Sequence, residues 1–283
     1  MQVQANGGYI HYEVVGEGPP LLMPSHASTT RWRAVAAEFA GEYTVIGVDF
    51  RDAAGLTRFP PEPFTIEDLA ADCLAVLRAL GHERAHFVGL SHSALVGQAL
   101  AIEHPEGVDR LALTMTTPGH DAHRPDDPQL RAIEDQKLTV EDEVGEALRR
   151  AQAGDPEGVR RAAEFLYSQA AVARDPKLVD AGVEQVFGPN FAQPPEVRGR
   201  FWAVIGRFTS RGRLDRIRSR TLVVTGSGDR LVRLDDAWTL WRQIPQATLV
   251  ALDGVGHDWW IEAPARVAAV VKQFLRGSFD ADA

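Results

Sequence analysis

The chain has 283 residues, 45% of them hydrophobic and 24% charged, with a formal net charge of −9 at pH 7. This composition excludes the disordered and fibrous classes, and 30 basic residues without a sustained Lys/Arg run argue against a nucleic-acid or anionic-membrane partner. A single cysteine, Cys73, excludes an intrachain disulfide. No apolar run approaches the roughly 20 residues of a membrane span, and Met1-Gln2-Val3-Gln4 opens no basic-then-apolar leader, so a soluble, cytoplasmic protein is expected.

In chain order, β-type runs over 3–4 and 9–15 flank Asn6-Gly7-Gly8, residues that tolerate positive φ and signal a hairpin. Gly16-Glu17-Gly18-Pro19-Pro20 reads as a turn, 21–24 as a short buried strand, 32–39 as a helix, and 43–48 as an apolar strand ending at Asp49. Thr65 caps a helix over 66–80. Its Leu69, Cys73, Val76, Leu77 and Leu80 recur at spacings of three and four on one face, and Gly81 stops it. A strand over 85–90, a helix over 91–103 and a strand over 108–115 follow. Parallel strands cannot be joined by tight turns, so this alternation predicts a parallel sheet with crossover helices.

The rhythm breaks from about 118 to 214, a stretch rich in Ala, Arg, Glu and Pro that reads as helix and loop. It resumes with a strand over 221–225, a helix over 236–244, a strand over 247–252 and a helix over 263–275, before a frayed tail over 277–283. The expected fold class is α/β: one mostly parallel central sheet flanked by helices. Residues 1–117 and 214–283 would form the core domain, with 118–213 a helical cap inserted after the sixth strand.

Three loops carry chemistry. In Phe87-Val88-Gly89-Leu90-Ser91-His92-Ser93-Ala94 a strand ends, a serine sits at a sharp turn and a helix begins at once. Such a turn forces strained dihedrals on the serine and raises its hydroxyl above the sheet, and small residues must flank it because strand and helix pack closely there. The motif here is GxSxS, with Ser93 where glycine is usual, and a serine N-cap would produce the same text. Thr221-Leu222-Val223-Val224-Thr225-Gly226-Ser227-Gly228-Asp229 is a buried strand leading to a carboxylate. Thr248-Leu249-Val250-Ala251-Leu252-Asp253-Gly254-Val255-Gly256-His257 is a strand leading to a lone histidine. All three residues fall beyond strand C-terminal ends, the edge at which open α/β sheets bind ligands. Ser91, Asp229 and His257 are therefore the candidate nucleophile, acid and base.

These motifs, with Gly16–Leu22, Val48-Asp49-Phe50-Arg51-Asp52-Ala53-Ala54-Gly55 and His104-Pro105-Glu106-Gly107-Val108, make the chain resemble the α/β-hydrolase superfamily over nearly its whole length. Arg51-Asp52 before Gly55, with Gly89-Leu90-Ser91, is similar to the branch of polyketide-tailoring methylesterases such as aclacinomycin methylesterase. The resemblance implies that His257 takes the Ser91 proton, that Asp229 orients the imidazole, and that water releases an acyl-enzyme. It also implies an oxyanion hole built from the backbone N–H of His92 and a second N–H in the loop after 21–24. An ungapped alignment puts Ser25-His26-Ala27 where the family has His-Gly-Xaa, making Ala27 the donor; a one-residue shift makes Ser28 the donor. The side chains of His26 and His92 either enter the pocket or face solvent.

The insertion carries Phe165, Leu166, Phe187, Phe191, Phe201, Trp202 and Phe208, which would line a pocket for an apolar ligand or pack the cap onto the core. Trp259 and Trp260 follow His257 closely, and one of them, with Trp259 preferred, is a further candidate to line the pocket. His120 and His123, with Asp121 and Asp126, read as a solvated loop, and no metal site, phosphate loop, dinucleotide fingerprint or other cofactor site is expected. The expected function is hydrolysis of a carboxylic ester, thioester or lactone of a medium-sized apolar small molecule of secondary metabolism, by a monomer or homodimer. A C–C bond hydrolase, a non-hydrolytic lyase or cyclase, and a ligand receptor are the alternatives.

Overall fold

The computed structural model describes residues 1–25, 29–52, 56–119, 143–151, 153–188 and 194–280. Eight strands form one sheet in the order β1-β2-β4-β3-β5-β6-β7-β8. They are β1 (Gln2–Ala5), β2 (Gly8–Val15), β3 (Pro20–Leu22), β4 (Thr44–Val48), β5 (Ala85–Leu90), β6 (Val108–Thr114), β7 (Arg220–Gly226) and β8 (Ala247–Leu252). The β1–β2 and β2–β4 pairs are antiparallel and every other pair is parallel. Asn6 (φ 51°) and Gly7 (φ 86°) both adopt the left-handed backbone of a two-residue hairpin turn, as their side chains permit.

The central strands are buried on both faces, which is why they read as unbroken apolar runs. Alternate residues divide between two cores. Phe87, Leu111 and Val223 face helices Ile66–Ala79 and His92–Glu103, whereas Val88, Ala112 and Val224 face helices Thr29–Ala36 and Pro264–Leu275. Helix Ile66–Ala79 begins with a capping box between Thr65 and Asp68 and is followed by Gly81 at φ 82°. The first helix starts earlier than its apolar pattern and ends at Ala36, the residues to Glu42 forming turns.

Between β6 and β7 the described residues include helices over 143–151, Pro156–Glu164, Gln169–Arg174, Lys177–Gly182 with a wider turn over Val183–Phe187, and Pro195–Arg207. This insertion has its own apolar cluster around Ala147, Phe165, Tyr167 and Phe187. Its last helix departs from that cluster, for Phe201, Val204 and Ile205 join the core that contains Phe87 and Leu95. Among the described residues no helix is long and apolar enough to cross a membrane.

One ion pair ties three early elements together. Arg51 donates from Nε and Nη2 to the two Asp72 oxygens (2.7 and 2.8 Å), and its guanidinium lies 3.6 Å from the Phe59 ring centroid. Asn6 Nδ2 adds a bond to the same carboxylate at 2.8 Å. The two side chains of the pair are only 13% and 4% exposed. Asp72→Ala would strand a buried guanidinium and is expected to cost about 3 kcal/mol in urea unfolding. Asp180→Ala, which breaks the exposed Arg160–Asp180 pair, should cost at most about 1 kcal/mol in the same assay.

Candidate active site

Ser91 stands between β5 and helix His92–Glu103 with φ 54° and ψ −115°, a backbone region that costs a non-glycine residue about 1–3 kcal/mol. Ser91 occupies the N-cap position of this helix, but its side chain makes no capping bond, so the hydroxyl is not used to cap the helix. Neighbouring groups hold the strained residue in place. Its N–H donates to Thr114 O (3.0 Å), and its carbonyl accepts from Thr116 Oγ1 and Ala94 N–H (3.0 Å each). Gly89 has no room for a side chain: a Cβ there would stand 2.6 Å from Ala94 Cα. Ser93, in the place of the usual glycine, is buried with its hydroxyl donating to Leu90 O (2.9 Å) and accepting Leu90 N–H (2.8 Å). The departure from GxSxG therefore supplies a local bond at the end of β5 without disturbing the turn.

Asp229 follows β7 and His257 follows β8. The Asp229 side chain is fully buried, and its Oδ1 accepts the N–H groups of Leu231 (2.8 Å) and Val232 (3.0 Å). That leaves Oδ2 for His257 Nδ1, at 3.0 Å. A carboxylate can only accept, so Nδ1 carries the proton and the neutral ring presents Nε2 as an acceptor. Ser227 Oγ joins the two loops by donating to Asp253 Oδ1 and accepting Gly254 N–H. A second histidine–carboxylate pair, His11 Nδ1 to Asp49 Oδ2 at 2.7 Å, lies on the β2–β4 side of the sheet and does not line the cavity that Ser91 opens into. Burial pushes the Asp49 carboxyl up, against the pull of His11.

That cavity measures about 700 Å³ and is lined by Ser91, His92 and His257 together with residues of the insertion. Leu148, Leu166, Phe187, Trp202 and Ile205 make much of its apolar wall, while Thr116, Arg233 and Asp236 add polar groups. The His92 ring meets Trp202 edge-on, with centroids 5.1 Å apart, so this imidazole faces the insertion at the cavity wall. Phe165 is instead buried in the insertion's own cluster, and Phe201 and Phe208 in the core that contains Phe87.

Trp259 requires a correction. It does not line the cavity but is fully buried beneath it, where its indole N–H donates to Thr114 Oγ1 (2.8 Å), whose hydroxyl donates in turn to Gly89 O (2.8 Å). The short helix Trp259–Glu262 turns this ring into the core, where it braces the serine turn from below. His26 and the two candidates for a second oxyanion donor, Ala27 and Ser28, lie outside the described residues, as do Phe191 and the His120, Asp121, His123 and Asp126 group. Thr114 and Thr116 were not singled out from sequence. The usable signal was a threonine pair closing the strand beside the serine turn.

A family model for the alpha/beta hydrolase fold matches residues 21–264. A protein of Caulobacter sp. (strain K31) named for carbamate hydrolysis, RutD, is 29% identical over 251 residues, covering 88% of this chain and 87% of its own. The 2-hydroxymuconate semialdehyde hydrolase of Pseudomonas sp. (strain CF600) is 29% identical over 92% of this chain and 88% of its own. Among solved structures, the enol-lactonase from Burkholderia xenovorans LB400 superposes with a TM-score of 0.77 at 24% identity, over 98% of this chain and 100% of that chain.

The crowding at the serine turn gives a direct test. Gly89→Ala should destabilise the protein by about 1–3 kcal/mol through overpacking. Gly41→Ala, where a Cβ meets nothing within 4 Å, should be neutral or slightly stabilising; thermal unfolding of both variants checks the contrast.

Proposed function

The chain belongs to the α/β-hydrolase fold family, and on that premise we propose that it is a serine hydrolase cleaving a carboxylic ester, thioester or lactone of a medium-sized, largely apolar molecule. The observation that carries the proposal is the 3.0 Å bond from His257 Nδ1 to a fully buried Asp229, in the wall of the same cavity into which the strained Ser91 opens. In this reading Nε2 of His257 accepts the Ser91 proton as Oγ attacks the carbonyl carbon, and Asp229 stabilises the imidazolium that forms. The same imidazole protonates the departing group, then activates the water that releases the acyl-enzyme. The oxyanion would be held by the His92 N–H, at the positive end of helix His92–Glu103, and by the N–H of Ala27 or Ser28. The insertion, which we delimit at 118–213, acts as a cap that supplies the substrate-facing wall.

Cavity size argues for the substrate class. About 700 Å³ with predominantly apolar walls suits a ligand of drug-like dimensions and far exceeds a simple carbamate, the group for which the RutD relatives are named. A second reading, hydrolysis of a C–C bond, draws on the 2-hydroxymuconate semialdehyde hydrolase relative, because the same three residues can expel a carbon leaving group.

Two measurements test the proposal. The protein should turn over p-nitrophenyl butyrate and be labelled on Ser91 by a fluorophosphonate, with both activities lost in Ser91→Ala. Turnover surviving that change would sink the nucleophile assignment. Asp229→Asn should keep the fold but lower kcat by about 10⁴-fold, since the amide no longer fixes the tautomer. Comparing an aryl ester with a vinylogous diketone substrate would then decide between ester and C–C cleavage.

A further inference from the structure

Both chain neighbours of His257 are tied to one short segment of the insertion. Asp258 N–H donates to Leu166 O at 2.8 Å. Gly256 N–H donates to Glu262 Oε1 (3.2 Å), and that carboxylate also accepts Ser168 N–H at Oε2 (2.9 Å) and Ser168 Oγ–H at Oε1 (2.7 Å). Ser168 has a further duty as N-cap of helix Gln169–Arg174, its Oγ accepting Ala171 N–H at 3.1 Å. At 3% exposure, Ser168 has little access to water that could replace these bonds.

Packing places the same segment against both loops that follow β7 and β8. A Cβ on Gly256 would fall on Ser168 N and 2.8 Å from the Tyr167 carbonyl carbon, and a Cβ on Gly228, which precedes Asp229, would be 2.6 Å from Ser168 Cβ. Residues 166–168 are thus seated between the aspartate loop and the histidine loop, and the Leu166 side chain is part of the cavity wall. Three donors converge on Glu262, and only an ionised carboxylate offers two oxygens with no proton to misdirect. A glutamine must aim its NH₂ at one of those donors. An alanine leaves the Gly256 and Ser168 N–H groups without an acceptor.

We propose that Glu262 is a positioning residue: by gripping Ser168 it fixes the backbone of 256–258, and with it the reach of the His257 imidazole toward Ser91. The base is then correctly aimed only while residues 166–168 are seated. The proposal rests on the reading of Ser91, Asp229 and His257 given above. Glu262 does not itself line the cavity, so its loss should act on the chemical step rather than on substrate binding.

The experiment uses the full chain with p-nitrophenyl butyrate as substrate, fluorophosphonate labelling as a second reporter, and circular dichroism melts to measure the folded fraction. Glu262→Ala should lower kcat by about 10–100-fold, the scale of a misplaced catalytic group, with KM within about two-fold of wild type. Glu262→Gln should be intermediate, and Ser168→Ala should lower kcat less. The double variant should resemble Glu262→Ala alone, because both changes break one link. Labelling of Ser91 should slow in parallel with kcat. The proposal is overturned if kcat in Glu262→Ala stays within two-fold of wild type while Ser91→Ala is inactive. It is equally overturned if the single losses simply add, or if kcat falls only in step with the folded fraction. Should Glu262→Ala not fold, kcat and KM of Glu262→Gln and Ser168→Ala decide on the same criteria. Full turnover in Ser91→Ala would instead remove the triad reading, and this inference with it.

Discussion

A serine held at φ 54° is the constraint around which the rest of this structure is arranged. The strain of about 1–3 kcal/mol persists only where neighbouring structure over-determines the backbone. Here β5 is hydrogen-bonded on both sides, to β3 and β6, and cannot relax sideways. Thr114 accepts the Ser91 N–H through its carbonyl and bonds Gly89 through its hydroxyl, while Thr116 caps the Ser91 carbonyl. Trp259 anchors Thr114 from beneath, and the Ser93 hydroxyl closes the last turn of the strand. Each of these bonds is worth roughly 1 kcal/mol, so together they exceed the strain they contain. The result is a hydroxyl raised at the carboxyl edge of the sheet, at the start of a helix.

The carboxylate opposite is governed by a different economy. Burying an ion costs several kcal/mol unless hydrogen bonds replace its hydration. Asp229 receives three: two from the backbone at Oδ1 and one from His257 at Oδ2. Saturating Oδ1 with main-chain donors leaves a single oxygen to face the imidazole, which sets both ring orientation and tautomer. Polar satisfaction of a buried group and orientation of the His257 ring are here the same set of bonds.

What the sequence made legible followed from local rules. The hairpin at Asn6-Gly7, the capping box at Thr65-Asp68 and the strand–turn–helix around Ser91 each depend on a few consecutive residues, and each appears where the pattern places it. That Asp229 and His257 stand in neighbouring loops followed from their positions just beyond the C-terminal ends of β7 and β8. Trp259 was misread because proximity in sequence to His257 says nothing about which way the next helix turns its ring. The aromatic residues of the insertion were undecidable for the same reason: adjacent Phe201 and Trp202 sit on one helix, yet the first packs into the core and the second faces the cavity. Glu262 was invisible because its partner Ser168 is 94 residues away, and no short-range pattern encodes that meeting.

The insertion is fastened unevenly, and the unevenness matters for how such a site can change. Beside the loop after β4 it is held by Arg200 to Asp52, an ion pair whose side chains are 28% and 22% exposed, of the kind worth about 1 kcal/mol or less. Beside His257 it is held by the Leu166 carbonyl and by two bonds from Ser168, a serine almost out of water, to the Glu262 carboxylate. Backbone groups make part of this second attachment, so it survives replacement of the side chains that shape the cavity. Leu148, Phe187 and Trp202 line the cavity and make none of these bonds, whereas Ser168 makes them and packs against Gly256, the neighbour of His257. The cavity wall and the seat beside His257 thus belong to different parts of the same insertion, one made of side chains that line the cavity and the other of three residues packed behind it.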